Sequence, residues 1–158
     1  MKSVHSDRAL ARSRWRGLAR DQRGQSAVEL ALVLPLLLTA LLSIVKFGVT
    51  LNNYLQLTDG VRVASRVLAS SRQSGTPYTS ASNALKSATP GLTYSKIKAT
   101  YTVNGASCSV DAACATSVTN GQGQPSNVTA TYPCDLVVMG VNLAANCTLT
   151  ASTTEITE

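Results

Sequence analysis

A long apolar run near the N-terminus dominates the hydropathy pattern of the chain. From Leu30 to Val45 sixteen residues follow one another without a charge, and Glu29 stands directly before them. A run of this length that is apolar on every side is typical of a helix that crosses a membrane, so a transmembrane segment is predicted over about 28–49. A carboxylate beside hydrocarbon is costly, on the order of 3 kcal/mol at the bilayer centre and less near the surface. Glu29 is therefore expected to have a partner.

The helical period continues beyond the apolar run. Apolar or small residues recur there at steps of three and four, namely Leu51, Leu55, Thr58, Val61, Ala64 and Leu68. This stripe predicts one helix over about 26–70, whose second half is amphipathic. On its wet face Asp59 and Arg62, three residues apart, are expected to pair. Pro35 removes a backbone donor inside the helix and is expected to kink it.

After residue 70 the pattern changes to turns and short strands. Residues 71–91 are predicted to be a linker and a short helix. Thr79 or Ser80 is expected to cap this helix, and Pro90-Gly91 to end it. From Tyr94 onward polar and apolar residues alternate, which predicts half-buried strands. Three such strands are predicted, over 96–103, over Val128 to Pro133, and over 147–153.

The polar stretch 104–126 lies between the first two strands and is predicted to be a long loop, a place where binding is often found. The fold class expected is therefore α+β. A leader (1–24) precedes a long N-terminal helix (25–70), which is transmembrane at first and then amphipathic. The linker and short helix (71–91) lead to a head (92–158) with a small antiparallel β-sheet of three or four strands.

Positive charge is concentrated in the leader. The chain has a net charge of +6, of which residues 1–24 contribute seven basic against two acidic side chains and the remainder only +1. The basic balance therefore does not describe a nucleic-acid-binding surface, and no nucleic-acid partner is expected. Because positive flanks of a membrane segment stay cytoplasmic, the N-terminus is predicted inside and everything beyond about Phe47 outside.

The four cysteines, Cys108, Cys114, Cys134 and Cys147, all lie in the part predicted to be outside. An even number in an exported domain predicts two disulfides, and three pairings are open. Cys108–Cys114 with Cys134–Cys147 is preferred, because each bond closes a short local loop. A zinc site is the alternative, but no CxxC pair is present and the only histidine, His5, lies in the leader. No metal and no cofactor are expected.

The usual sequence signals of an enzyme are missing. The acids beyond the apolar run are Asp59, Asp111, Asp135, Glu155 and Glu158, and none of their spacings suggests a catalytic pair. The segment 121–124, Gly-Gln-Gly-Gln, is too short for a phosphate-binding loop and follows no buried strand. No base accompanies the many serines. We therefore expect the chain not to be an enzyme.

The start of the chain resembles a known signal. A basic leader, Gly24, an acid at the fifth residue after it and an apolar helix together resemble the class III signal of type IV pilin-like proteins. The segment from Gly24 to Leu38, GQSAVELALVLPLLL, further resembles the TadE-like pseudopilin family of the tight-adherence (Tad) system. Ile44–Gly48 and Asp59–Ala69 resemble its next landmarks, with Lys46 where an acid is more usual. The resemblance covers about residues 24–69.

This resemblance implies a processing step and an assembly contact. A prepilin peptidase would cut between Gly24 and Gln25, and Glu29 would then meet the new α-amino group of a neighbouring subunit's Gln25. A carboxylate in a medium of low dielectric is strongly stabilised by such a charge, and the pair can fix the register between helices. The partners implied are other pilin subunits, the peptidase, the inner-membrane pilus assembly machinery and membrane lipid.

The function expected is that of a minor pilin or pseudopilin of a Flp-type (Tad) pilus, which contributes to assembly or adhesion. Its location would be the bacterial inner membrane, and the extracellular pilus after assembly. The alternative is an uncleaved single-pass envelope protein that binds an extracellular ligand through its β-rich head. A second alternative is a membrane-tethered hydrolase that uses Asp111 or Asp135.

Overall fold

The computed structural model describes residues 22–158. The predicted leader lies outside these residues except for its last three positions. The chain divides into two compact units, Met1–Ser43 and Ile44–Glu158.

A long helix, α1, runs from Gln22 to Ser70. It begins within the predicted leader, earlier than the pattern indicates, and it ends where the apolar stripe ends. The helix is continuous through Pro35, whose carbonyl accepts a hydrogen bond from the Thr39 hydroxyl at 2.7 Å. The hydroxyls of Ser43 and Thr50 likewise donate to carbonyls one turn back. These hydroxyls are therefore satisfied inside the helix, as an apolar environment requires.

The elements that follow α1 are short. A second helix, α2, spans Pro77–Ala88, and a 3-10 turn spans Tyr94–Lys96. The remaining elements, in chain order, are β1 (Lys98–Val103), β2 (Ala106–Cys108), α3 (Asp111–Asn120), β3 (Pro125–Pro133), β4 (Val137–Val138), β5 (Val141–Asn142) and β6 (Thr148–Ile156).

Four of the strands form one antiparallel sheet in the order β2-β1-β3-β6, and β4 and β5 form a separate two-stranded ladder. The register places Tyr101 of β1 opposite Val128 of β3, and Ala130 of β3 opposite Ala151 of β6. These four side chains are buried, whereas the alternate positions of the same strands are mostly threonine and face the other side. The predicted α+β fold with a small antiparallel sheet is confirmed.

The hydrophobic core of the head combines all three helices with this sheet. From the helices it takes Leu57, Val61, Ala64, Leu68, Ala81, Leu85, Cys114 and Val118. From the strands and the turn before them it takes Leu92, Tyr101, Val103, Cys108, Val128, Ala130 and Ala151. The last turns of α1 are thus the floor on which the sheet and the short helices pack.

The predicted apolar stripe of α1 is only partly right. Val61, Ala64 and Leu68 are fully buried, but Leu51 and Leu55 are about half exposed, and Leu57 is buried in their place. At about 100° of rotation per residue, Leu55 lies roughly 200° around the helix from Leu57, so the two face opposite sides. The head packs on the Leu57 side, which the periodicity alone does not identify.

Three other expectations are corrected. Residues 104–126 are not a long loop, because they contain β2 and helix α3. Neither Thr79 nor Ser80 caps α2, which begins earlier, at Pro77. Asp59 and Arg62 form no ion pair in the described part of the chain, and Arg66 instead pairs with Glu155 at 3.8 Å.

Candidate functional site

The residues of the predicted processing and assembly site share the first turns of α1. The Gln25 side-chain amide lies 3.5 Å from the Glu29 carboxylate, one turn further along. Glu29 is exposed, and its carboxylate has no other hydrogen-bond partner or ion pair among residues 24–158, whose side chains the structure describes. A side chain at Gly24 would meet nothing within 4 Å. The start of α1 thus offers an open backbone at Gly24 and a carboxylate with one weak partner.

The surface that follows Glu29 is apolar on all sides. Large apolar side chains between Val28 and Val49 are exposed, and Leu36 reaches 74 %. Among the described residues one helix, α1, is long and apolar enough to cross a membrane, judged by length and composition. Burying such side chains contributes roughly 1.5–3 kcal/mol each, so this surface requires lipid or other apolar helices around it.

A second exposed apolar stripe begins near the end of the predicted membrane segment and continues on α1 beyond it. Phe47, Leu51, Tyr54 and Leu55 recur at helical spacing and are each between 40 % and 64 % exposed. At about 100° per residue, Leu55 lies about 160° around the helix from Leu57, whereas Leu51 lies about 120° and Tyr54 about 60° from it. The stripe therefore follows a flank of α1 that the core of the head leaves exposed. This face remains available to another helix after the head has packed.

Both disulfides join the cysteines that the sequence analysis prefers to pair. Cys108 of β2 is bonded to Cys114 of α3, with 5.0 Å between their Cα atoms. Cys134 is bonded to Cys147, with a Cα separation of 5.3 Å, and the pair closes the segment that carries β4 and β5. In this structure the four thiols are used in covalent bonds. Within residues 22–158 no group of three or more metal-binding side chains comes together.

Asp111 lies at the first position of α3, and its carboxylate serves the start of a different helix. It accepts the backbone N–H of Thr79 at 2.8 Å and the Thr79 hydroxyl at 2.6 Å. The Thr79 hydroxyl and then its N–H lower the pKa of Asp111 below its ordinary value, because both bonds favour the ionised form. Since the first N–H groups of a helix lack partners within it, Asp111 caps α2.

Tyr101 is a buried residue that no motif in the sequence marks as a candidate for chemistry. Its ring contacts that of Tyr78 edge to face, with 5.3 Å between centroids. Its hydroxyl is buried and has no hydrogen-bond partner in the part of the chain described. Burial, and then the nearby Tyr94 and Tyr78, raise the pKa of Tyr101 well above its usual 10.0. Alternation along β1 identifies Tyr101 as a core residue, but no sequence signal reports its unpaired hydroxyl.

These features define the class of the molecule: an α+β protein in which a long, exposed, apolar helix precedes a small disulfide-linked antiparallel sheet. Residues 24–66 match the family model described as TadE-like protein. The resemblance inferred from the sequence is therefore confirmed for this segment, which lies entirely in α1 and begins at Gly24. Comparison with curated proteins found no match, and neither did comparison with solved structures.

Proposed function

We propose that this chain is a pilus-associated protein of the Tad system, and more specifically a minor pilin or pseudopilin of a Flp-type pilus. The observation that carries the proposal is the TadE-like match over residues 24–66. It coincides with an exposed apolar helix that has Gly24 and Glu29 at its start. The head would lie outside the inner membrane, because the basic leader stays in the cytoplasm.

In this proposal, cleavage after Gly24 changes the electrostatics at the start of α1. It removes the cationic leader and creates a positive α-amino group on Gln25. Among the side chains that the structure describes, the one partner of the Glu29 carboxylate is a neutral amide, at 3.5 Å. A protonated amine from a neighbouring subunit is a stronger partner for a carboxylate in apolar surroundings. One such contact per subunit fixes the axial position of one helix against the next.

Two apolar surfaces support assembly by helix packing. The segment from Val28 to Val49 exposes large side chains all round, and the stripe of Phe47, Leu51, Tyr54 and Leu55 extends the apolar surface toward the head. When the helix leaves lipid, neighbouring helices can cover both surfaces. The core of the head does not use either surface, so assembly need not disturb its packing.

The first experiment determines the N-terminal residue of the mature protein by mass spectrometry. A start at Gln25 is the expected result, and retention of the leader contradicts the proposal. Gly24→Val is expected to block cleavage without disturbing the fold, because a side chain there meets nothing within 4 Å. Gly48→Val is the matched control, since Gly48 is equally open and lies beyond the proposed cut.

The second experiment tests the carboxylate. Glu29→Ala should still be cleaved but should fall at least about tenfold in sheared pili, the effect of roughly 1.4 kcal/mol lost at each contact. Glu29→Asp keeps the charge and is expected to retain part of the incorporation, whereas Glu29→Gln is expected to behave like Glu29→Ala. Normal incorporation of Glu29→Ala would contradict the proposed pairing.

A second function is favoured by the β4–β5 hairpin. This segment, closed by Cys134–Cys147, exposes Met139, Val141 and Leu143 by 59–66 %. Exposed apolar groups of this kind suit binding, whether in a pilus adhesin or in an uncleaved envelope protein. Loss of surface adhesion in Val141→Ser with normal processing would support a binding role for the hairpin, and unchanged adhesion would count against it.

We also propose that the chain has no catalytic activity. The carboxylate of Asp111, one of the two acids considered for a hydrolase, is occupied by Thr79. A hydrolytic activity of the purified protein that disappears in Asp111→Ala or Asp135→Ala would overturn this statement.

A further inference from the structure

The two edges of the four-stranded sheet differ in how they are protected. At one edge, β2 is only three residues long, and its Cys108 is tied to α3 by the disulfide to Cys114. At the other edge, β6 runs for nine residues, Thr148–Ile156, and pairs with β3 on one side only. Natural proteins usually blunt a long edge strand with charges, prolines, bulges or a cover, because an open edge pairs with other strands.

The hydrogen bonds around β6 show which of its backbone groups are unused. The Cys134 N–H donates to the Cys147 carbonyl at 3.1 Å, and the Thr157 N–H donates to the Gln124 carbonyl at 3.0 Å. In an antiparallel pair such hydrogen-bonded positions alternate along the strand. The odd-numbered residues of β6 therefore bond to β3, and the even-numbered residues turn their N–H and C=O groups outward. These are Thr148, Thr150, Ser152, Thr154 and Ile156.

The open edge carries none of the usual protective features. From Thr148 to Thr154 it has no charge and no proline, and its pairing with β3 is continuous, without a bulge. Beyond the strand the edge closes, because the Glu158 N–H donates to the Ala69 carbonyl of α1 at 3.3 Å. In the described part of the chain nothing else accepts or donates a hydrogen bond at the outward backbone groups of Thr150, Ser152 or Thr154.

We propose that β6 pairs antiparallel with β6 of a second copy of this chain, so that the two sheets continue into one of eight strands. The argument for a second copy is that the strand complements itself. With full overlap about its middle residue, Ser152 faces Ser152 and Thr150 faces Thr154 of the other copy. The only charge, Glu155, faces Leu149 of the other copy and not another acid. No like charges are opposed, and hydroxyl side chains meet hydroxyl side chains on the outer face.

The contact is limited in size. It consists of one pair of nine-residue strands. The five outward residues of one copy face the five of the other, and each of the five pairs shares two backbone hydrogen bonds, about ten in all. A pairing of this extent lies at the small end of protein interfaces and gives a transient dimer. Covalent trapping in the native membrane is therefore the appropriate measurement. The inference does not depend on the proposed pilus function.

The test uses the full chain with one added cysteine and a mild copper oxidant. In the proposed pairing, Ser152 lies opposite itself in a hydrogen-bonded pair with about 5.5 Å between Cα atoms, within disulfide reach. Ser152→Cys is therefore expected to give a disulfide-linked dimer. Thr129→Cys is the matched control, because Thr129 is the register partner of Ser152 on the same face, one strand inward. The two copies of residue 129 would be three strand spacings, or about 14 Å, apart and should not crosslink.

Two further variants in the Ser152→Cys background test the register by charge. Thr150→Lys with Thr154→Lys places like charges opposite each other and is expected to abolish the dimer. Thr150→Lys with Thr154→Glu places opposite charges there and is expected to restore it. Protease resistance of the head checks that both variants fold.

The proposal is overturned if Ser152→Cys crosslinks no more than Thr129→Cys, or if both charge variants crosslink equally. It is also overturned if position 152 crosslinks only to a different protein, which would assign the edge to a foreign strand.

Discussion

Asp111 illustrates how much the role of one side chain depends on the element that reaches it. In the sequence it is an acid in a polar stretch, and a hydrolase that uses it is one hypothesis. In the structure its carboxylate holds the N–H and the hydroxyl of Thr79 and so completes the start of α2. The same contact ties α2 to α3, because Asp111 is the first residue of α3.

This cap predicts a pH dependence of stability. The hydrogen bonds from Thr79 lower the pKa of Asp111 in the folded state, so the folded pKa lies below the unfolded one. Its contribution is thus fully present above the unfolded pKa, about 3.9, and is lost as pH falls through the folded pKa. Asp111→Asn should lower the urea midpoint at pH 7. In acid, the midpoint of the variant should approach that of the parent protein. Asp135→Asn is the control, because Asp135 makes no hydrogen bond within residues 22–158. An equal loss for Asp111→Asn at every pH would contradict this explanation.

The buried hydroxyl of Tyr101 leads to a second prediction at this scale. The hydroxyl has no partner in the described part of the chain, so Tyr101→Phe removes a desolvated polar group. The variant should therefore lower the free energy of unfolding by less than about 1 kcal/mol, or raise it. Tyr101→Ala also removes the ring and is expected to cost about 3–5 kcal/mol. Denaturant unfolding of the two variants gives the comparison. A large loss in Tyr101→Phe would mean that the hydroxyl has a bonded partner after all.

At the scale of elements, the contact between α1 and α2 depends on a glycine. A Cβ atom at Gly60 would overlap the Thr89 methyl group and lie 3.1 Å from a methyl of Leu85. Thr89 is buried, and its hydroxyl is bonded to the Leu85 carbonyl at 2.9 Å, so it has little freedom to move. The small residue in the Asp59–Ala69 segment therefore has a packing explanation: it lets α2 approach α1 closely.

Gly60→Ala is consequently expected to destabilise the head. In an unobstructed helix the same change is favourable by about 1 kcal/mol. Here the overlap is expected to reverse the sign and cost about 1–3 kcal/mol. Gly48→Ala, in the same helix, is the matched control, because a Cβ atom at Gly48 meets nothing within 4 Å. Thermal unfolding of both variants in detergent measures the difference, and a gain in stability for Gly60→Ala would show that α2 can shift away.

At the scale of the whole molecule, the proposed orientation can be tested directly. Thr119 is exposed on α3, and Ser13 belongs to the basic leader. If positive charge holds the leader inside, Thr119→Cys should react with a membrane-impermeant thiol reagent once the outer membrane is opened. Ser13→Cys, made together with Gly24→Val so that the leader is retained, should react only after lysis. Since the four native cysteines are paired, they should contribute almost no background. The opposite labelling pattern would reverse the assignment of sides.

What the sequence determined by itself is whatever depends on neighbours along the chain. The apolar run around Leu34, the helical period up to Leu68 and the alternation along β1 and β3 are repeated many times over, so they predict element types well. Helix α3 is also predictable in part, because Ala112, Ala113 and Ala115 favour a helix. The polar residues around them are more typical of a loop.

Only the tertiary structure decided what depends on residues far apart in the sequence. Both sides of α1 near Leu55 and Leu57 carry apolar residues. The Leu57 side is the buried one, because α2 and the sheet pack against it. Asp111 accepts hydrogen bonds from Thr79 because the β1–β2 hairpin and the Cys108–Cys114 bond place the start of α3 against α2. The strand order that leaves β6 at an open edge is likewise set by long-range pairing. Periodicity reports which residues share a face, and only the packed chain determines what each face meets.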